Sequence, residues 1–241
     1  MKKTKQYIIL GVLFFLPVTF LLFLIPAKHN YTPLEIINEH VEEISYTSTD
    51  ASTDIQLKDH ITVLGFLGNS PIDNSIATLN LKELVYDKFK GFKTFQVILV
   101  APNGAEESVK ALKKEINSYE DLKFWHYVFA SPSEILSLYS SLDSHQSLNL
   151  TTGSESVFII DKERNQRGRV DDRETKEKEA NKPVYGLKEY NCIEVAVIKN
   201  KMNDDLRVLF TEYREKRKGE FQSSQTRREQ DLKNTPNESE K

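Results

Sequence analysis

The 241-residue sequence predicts an α/β domain, a mixed sheet flanked by helices on both faces, set behind an N-terminal transmembrane helix. Three observations carry that expectation. Short apolar runs rich in β-branched and aromatic residues alternate with segments whose apolar residues recur every three to four positions. The alternation closes with a hairpin and a long helix, which suits a mixed sheet. An uncharged apolar run, residues 7–26, stands behind Lys2, Lys3 and Lys5.

That run is about long enough to cross a bilayer, which takes about twenty residues. It exceeds the apolar core of a cleavable signal peptide, and Pro26-Ala27-Lys28 is a poor cleavage site, so it reads as an uncleaved anchor. Pro17 is a tolerated kink in such a helix. The lysines place residues 1–6 in the cytoplasm and the rest of the chain in the periplasm or another extracytoplasmic space. Residues 27–54 are polar and read as a stalk. In it, Thr32-Pro33-Leu34-Glu35 opens a short helix with Ile36, Ile37 and Val41 on one side. Asn30-Tyr31-Thr32 and Asn149-Leu150-Thr151 fit a glycosylation sequon, with nothing further to support it.

The domain proper covers residues 55–214. Ile61–Leu67 is a continuous apolar run and reads as a buried central strand. Ile76–Phe89 follows as a helix, then a strand over Phe92–Val100 and a helix over Glu106–Ile116. Leu122–Phe129 is the next strand. Ser131-Pro132-Ser133-Glu134 carries the capping signal of a helix whose apolar side is Ile135, Leu136, Leu138 and Leu142. Ser156–Asp161 is a buried strand that turns at Asp161 into the last one, near Val170. Asp171–Lys182 reads as a solvated charged loop, and Val195–Arg214 as the closing helix, with Met202 in the core. The polar segment 215–241 has too few apolar residues to fold and reads as a disordered tail.

The chain hangs on one junction. After Leu67 the apolar run breaks at Gly68-Asn69-Ser70-Pro71 and a helix begins. Pro71 suits a first helical turn, Ser70 is placed to cap it, and Asp73 complements the helix N-terminus. Strand, tight loop and helix N-terminus form the arrangement in which α/β folds place their chemistry.

Ser70-Pro71-Ile72-Asp73-Asn74-Ser75 resembles the Cys-Pro-x-x-x-Cys-Pro-like loop of the Sco/SenC proteins, thioredoxin-fold copper chaperones of cytochrome oxidase assembly. Ser70 and Asn74 take the two cysteine positions. Sliding the match by one residue puts Asn69 and Asp73 there instead. Gly65-Phe66, Val97–Val100, the strand holding Trp125, and Ser154–Asp161 follow in the Sco order. The family's distal histidine precedes a strand of the form His-Ser-x-x-x-Tyr-Leu-x-Asp. The matching stretch is Gly153–Asp161, with Gly153 at the histidine position.

The resemblance implies a thioredoxin-like fold in a degenerate member without the two cysteines and the histidine. Copper(I) needs soft donors, and disulfide chemistry needs a thiolate at the helix N-terminus, so both family activities are expected to be absent. What remains is Asn69, Ser70, Pro71, Asp73, Asn74 and Gly153 as a surface for a protein partner in the membrane or periplasm. Restoring cysteine at Ser70 and Asn74, with histidine at Gly153, should then recreate a copper(I) site.

The rest of the chain offers little competing chemistry. Lys and Arg number 33 against 36 Asp and Glu, a net charge of -3 that gives no reason to expect nucleic acid. The single cysteine, Cys192, excludes a disulfide within the chain and any two-thiol cycle. It reads as a buried or half-buried thiol at a helix start. His29, His40, His60, His126 and His145 show no metal-ligand spacing. No phosphate loop or Gly-x-Ser-x-Gly motif occurs, so no cofactor, metal or catalytic residue is expected. Three functions compete: a non-catalytic binding or assembly factor, possible in respiratory oxidase assembly; a metal or redox protein with a site relocated to Cys192 and histidines; and an enzyme using the polar residues of the Asn69–Asn74 loop.

Overall fold

The computed structural model describes residues 2–24, 31–44, 46–47, 54–116, 122–151 and 153–219. Residues 27–30, 45 and 48–53 of the stalk and the tail beyond Gly219 lie outside them. The chain divides into two compact units, Met1–Thr32 and Pro33–Lys241.

The first unit is one helix, α1 (Lys2–Leu24). Its stretch Lys5–Leu22 is apolar and long enough to cross a membrane. Thr19, a hydroxyl within that stretch, donates back to the carbonyls of Phe15 and Leu16, so its donor is satisfied within the helix.

The second unit begins with strand β1 (Glu35–Asn38) and a two-residue ladder between β2 (Tyr46–Thr47) and β3 (Asp54–Ile55). β4 (Ile61–Leu67) leads through a 3₁₀ turn, Pro71–Asn74, into α2 (Ser75–Leu81). A π turn, Lys82–Tyr86, continues α2 into α3 (Asp87–Phe89). β5 (Phe95–Pro102), α4 (Glu106–Ile116), β6 (Trp125–Ala130) and α5 (Pro132–Ser140) follow. Then come β7 (Gly153–Ile160), β8 (Gln166–Gly168), α6 (Thr175–Glu179) and β9 (Tyr190–Asn191). α7 (Val195–Val197) passes through a second π turn, Ile198–Met202, into α8 (Asn203–Lys218).

Strand order is β1-β8-β7-β4-β5-β6, with β9 added on β7. β4 runs parallel to β5 and antiparallel to β7, and β5 runs parallel to β6. All seven residues of β4 are buried, because strands cover both its edges and side chains cover both its faces. Ile61, Val63 and Leu67 pack with α2, α4 and α8; Leu64 and Phe66 pack with α5 and the segment around Val41–Leu57. A β–α–β parallel pair joined to an antiparallel hairpin and a closing helix is the thioredoxin-like arrangement, so the expected fold class holds.

Several local expectations do not. Glu35–Asn38 is a strand, not part of a helix. Ile36 pairs with Arg167, so a partner far along the chain outweighs local helix chemistry. The closing helix runs on to Lys218, where Gly219 ends it in a left-handed conformation with φ 72°. The Asp171–Lys182 segment is not simply a solvated loop. It contains α6, capped reciprocally by Glu174 and Glu177. Asp172 is buried between Arg169 and Lys201, at 2.9 and 2.5 Å. The box at Ser131 and Glu134 forms as expected, and Met202 lies in the core.

Candidate functional site

The site is the loop between β4 and α2. Gly68 and Gly153 approach so closely that neither has room for a side chain. A Cβ on Gly68 would lie 2.3 Å from the Thr151 carbonyl oxygen, and one on Gly153 would lie 2.4 Å from the Gly68 nitrogen. Gly153 also has φ 72°, which disfavours any other residue. The Asn69 N–H bridges to the carbonyls of Leu150 and Thr151, both at 3.1 Å. The helix-opening loop and the distal 149–153 turn are therefore tied backbone to backbone. The structure brings together the two segments that the sequence comparison pairs, but at Gly153 it leaves no place for a histidine side chain.

Pro71 opens a 3₁₀ turn, not an α-helical one. In that turn the Asp73 N–H is taken by the Ser70 carbonyl at 2.9 Å. Ser70 forms no side-chain cap, contrary to expectation, because the donor that it would meet is already used. Pro71 and Asn74 are buried, whereas Asp73 is exposed. The Asn74 carbonyl accepts the Thr78 hydroxyl at 2.8 Å.

Beneath the loop is a small cavity lined by Asn74, Thr78, Ser154, Glu155 and Cys192, among others. Thr78 and Cys192 are members that sequence reasoning did not place there, whereas Ser154 and Glu155 belong to the Gly153–Asp161 stretch that it paired with the loop. The short β9, which delivers Cys192, carries no periodic pattern in the sequence. The Cys192 N–H donates to the Glu155 carbonyl at 2.8 Å, and Asn80 donates to the Cys192 carbonyl at 2.9 Å. The thiol is buried, and burial, with the Glu155 charge, pushes it up to about 12. A thiol held there stays protonated and is a poor nucleophile at neutral pH.

Around the loop the surface is apolar. Ile72, Ile76 and Leu79 follow helical spacing and are 39 %, 65 % and 39 % exposed. Ile193 and Val195, held beside α2 through the Asn80–Cys192 bond, are exposed as well. Asp73, Glu155 and Glu194 add exposed carboxylates. With no thiol or imidazole at its positions, the loop offers backbone groups, side-chain oxygens and apolar surface.

The histidines lie elsewhere. His60 precedes β4 at the far end of that strand, its Nδ1 3.0 Å from the Lys58 carbonyl oxygen. His126 is half-buried in β6, and burial, with nearby His60, lowers its basicity. His40 and His145 are exposed in loops, and His29 lies outside the described residues. Among the described residues no group of three His, Cys, Asp or Glu side chains could hold a metal ion. Asp161 makes the expected turn, accepting the N–H groups of Glu163 and Asn165. It also pairs with Arg167, which reaches Glu212, so these buried charges hold β7, β8 and α8 together and form no acid–base site.

Topology and loop together define a thioredoxin-like domain whose helix-opening loop carries no thiol. No protein-family model matches the chain, and no curated protein matches its sequence. Solved structures do match, and Sco/SenC proteins are prominent among them. A SCO1/SenC family lipoprotein from Bacillus anthracis is 15% identical, with a TM-score of 0.48 over 72% of this chain and 97% of that one. BsSco, a member of the Sco family of cytochrome c oxidase assembly proteins, is 15% identical, with a TM-score of 0.47 over 73% and 96%. ScoI from Arabidopsis thaliana, solved with copper bound, is 15% identical, with a TM-score of 0.44 over 69% and 97%. Thiol:disulfide interchange proteins also match, such as one from Chlorobium tepidum at 13% identity and a TM-score of 0.42, over 73% and 99%.

Proposed function

We propose that this chain is a membrane-anchored, extracytoplasmic binding factor that engages a protein partner through its thiol-free loop and supports assembly of a respiratory oxidase. Residues 7–26 form the anchor, with residues 1–6 in the cytoplasm. The stalk expected over 27–54 shortens to the residues before Pro33, and the binding domain expected over 55–214 widens to the folded unit that begins there and runs through α8 to Lys218. One observation carries the reading. At the point where a thioredoxin-like domain places its reactive thiols, this one has Asn69, Ser70, Asp73 and Asn74 inside a rim of exposed Ile72, Ile76 and Leu79. The oxidase link rests on the residue-level resemblance at Ser70-Pro71 and Gly153–Asp161.

Deleting the protein from its host and assaying assembled oxidase tests the reading. Wild type and Cys192→Ser should restore assembly, and the double variant Ile72→Asp/Ile76→Asp should not. Normal oxidase in the deletion strain would remove the oxidase link. Protease added to spheroplasts should remove the domain, and a protected domain would overturn the topology.

A thiol-centred metal or redox site is the second reading, favoured by Cys192 lining the same cavity as Asn74. Its raised pKa and the absence of a histidine from the cavity lining oppose it. Anaerobic titration against a colorimetric copper(I) chelator separates the two. The binding factor should leave the chelator loaded, whereas withdrawal of copper that Cys192→Ser abolishes would establish the second reading.

A further inference from the structure

The end of the sheet opposite the loop is basic and aromatic. An open cleft of about 480 Å³ lies where β4 and β5 begin, between the β7–β8 turn and the last turns of α8. Its floor is aromatic. Phe92, 40 % exposed, stacks on Phe210 at 4.3 Å between ring centroids, and Tyr213 lies alongside. Its walls are cationic. The ammonium groups of Lys162 and Lys216 sit over the Tyr213 ring, at 5.3 and 4.7 Å, and Arg214 and Arg217 project from exposed positions. The cleft's carboxylates are Asp59 and Glu163, and Glu163 accepts the Tyr213 hydroxyl. An adjoining groove adds Lys58 and Arg164, and with them Glu43, whose carboxylate accepts the Leu57 and Lys58 N–H groups.

Two helices carry charge graded in the same sense. α4 begins with Glu106 and Glu107 and ends with Lys113 and Lys114. α8 begins with Asp204 and Asp205 and ends with Lys216, Arg217 and Lys218 at the cleft. Exposed Asp73, Glu155 and Glu194 mark the loop end. The chain also joins the folded unit close to the cleft. The Leu34 carbonyl accepts from Arg167, Arg167 pairs with Glu212, and Glu212 pairs with Lys216 of the cleft wall.

We propose that this basic, aromatic end lies against the bilayer and binds the phosphate headgroups of anionic lipids, so that the Asn69–Asn74 loop faces away from the membrane. The proposal rests on the anchored reading given above. Clustered cations are drawn to an anionic membrane within a Debye length of its surface. An aromatic side chain beside cationic stems suits the interfacial zone, where ring and charge find different surroundings at nearly the same depth. The cations stand on two walls of an open cleft and do not converge on one point, a geometry that fits a plane of headgroups better than a single soluble anion.

The test uses the full chain in nanodiscs of phosphatidylcholine alone or mixed with phosphatidylglycerol, and follows amide hydrogen exchange over residues 210–219. Exchange there should be at least about tenfold slower in the anionic discs, as a few cations at the surface imply. Raised salt and the variant Arg214→Gln/Arg217→Gln should each abolish the difference, with folding checked by Trp125 fluorescence. Equal exchange in both discs, with the protein inserted, would overturn this proposal alone. Equal slowing by inorganic phosphate in phosphatidylcholine discs would overturn it in favour of a soluble anion. Failure of the chain to insert into either disc would overturn the anchored reading and this proposal with it.

Discussion

Gly153 shows how a residue-level match and a residue-level environment can part. The alignment of Gly153-Ser154 with a histidine-serine pair places the correct segment beside the loop. Yet the backbone of Gly68 stands where a Cβ at 153 would go. Gly153→Ala should destabilise the domain by about 2 kcal/mol or more, from strain at positive φ and backbone overlap, as a denaturant midpoint would show. The triple change to cysteine at Ser70 and Asn74 and histidine at Gly153 should therefore fail to fold. Ser154, next along the strand, lines the cavity with Asn74. Cys192 supplies a second residue-scale prediction. Its pKa is raised from 9.0 to about 12, chiefly by burial. A group whose folded value is raised contributes stability that is complete below the unfolded value and lost as pH rises toward the folded one. Wild type should thus lose stability relative to Cys192→Ala between about pH 9 and 12, by up to about 1.4 kcal/mol per unit. Parallel urea melts of the two proteins across that range would check it.

At the scale of elements, legibility followed the range of the interactions that decide each one. The central strand declared itself through an unbroken apolar run, and α5 through its capping residues, because both signals are local. β1 was hidden: Glu35–Asn38 becomes a strand only through its pairing with β8, which no window of neighbours contains. β9 is two residues long and has no period to read. The π turns at Lys82–Tyr86 and Ile198–Met202 fall within helical patterns and were invisible for the same reason; the two turns pack against each other in the core. Among the buried ions, Asp161, Arg167 and Asp172 read in the sequence as turn and loop residues and Asp205 and Glu212 as helix residues, since their partners in β7, β8 and α8 meet only in the fold. Arg167 is their centre, 2.9 Å from Asp161 and 2.5 Å from Glu212. Arg167→Ala should cost about 3–5 kcal/mol in thermal or chemical unfolding, because buried Asp161 loses its counter-charge and buried Glu212 is left with Lys216 alone. A loss below about 1 kcal/mol would show that the carboxylates are relieved in another way.

On the scale of the molecule, the loop and the basic cleft occupy opposite ends of β4, a strand of seven residues. At the usual rise per residue that strand is a rigid spacer of about 23 Å. A domain resting on lipid through the cleft would hold Asn69–Asn74 at a fixed height and act as a ruler for where its partner's contact surface stands. That makes the stalk a slack tether, since position is set by the surface and not by the length of chain. Inserting a flexible Gly/Ser segment within residues 25–32, ahead of the folded unit, should then leave partner capture nearly unchanged at low salt. At high salt, with the domain released, the same insertion should weaken capture with the roughly −3/2 power of tether length expected of a freely roaming module. Crosslinking yield from the loop, measured against insert length at both salt levels, distinguishes a ruler from a leash.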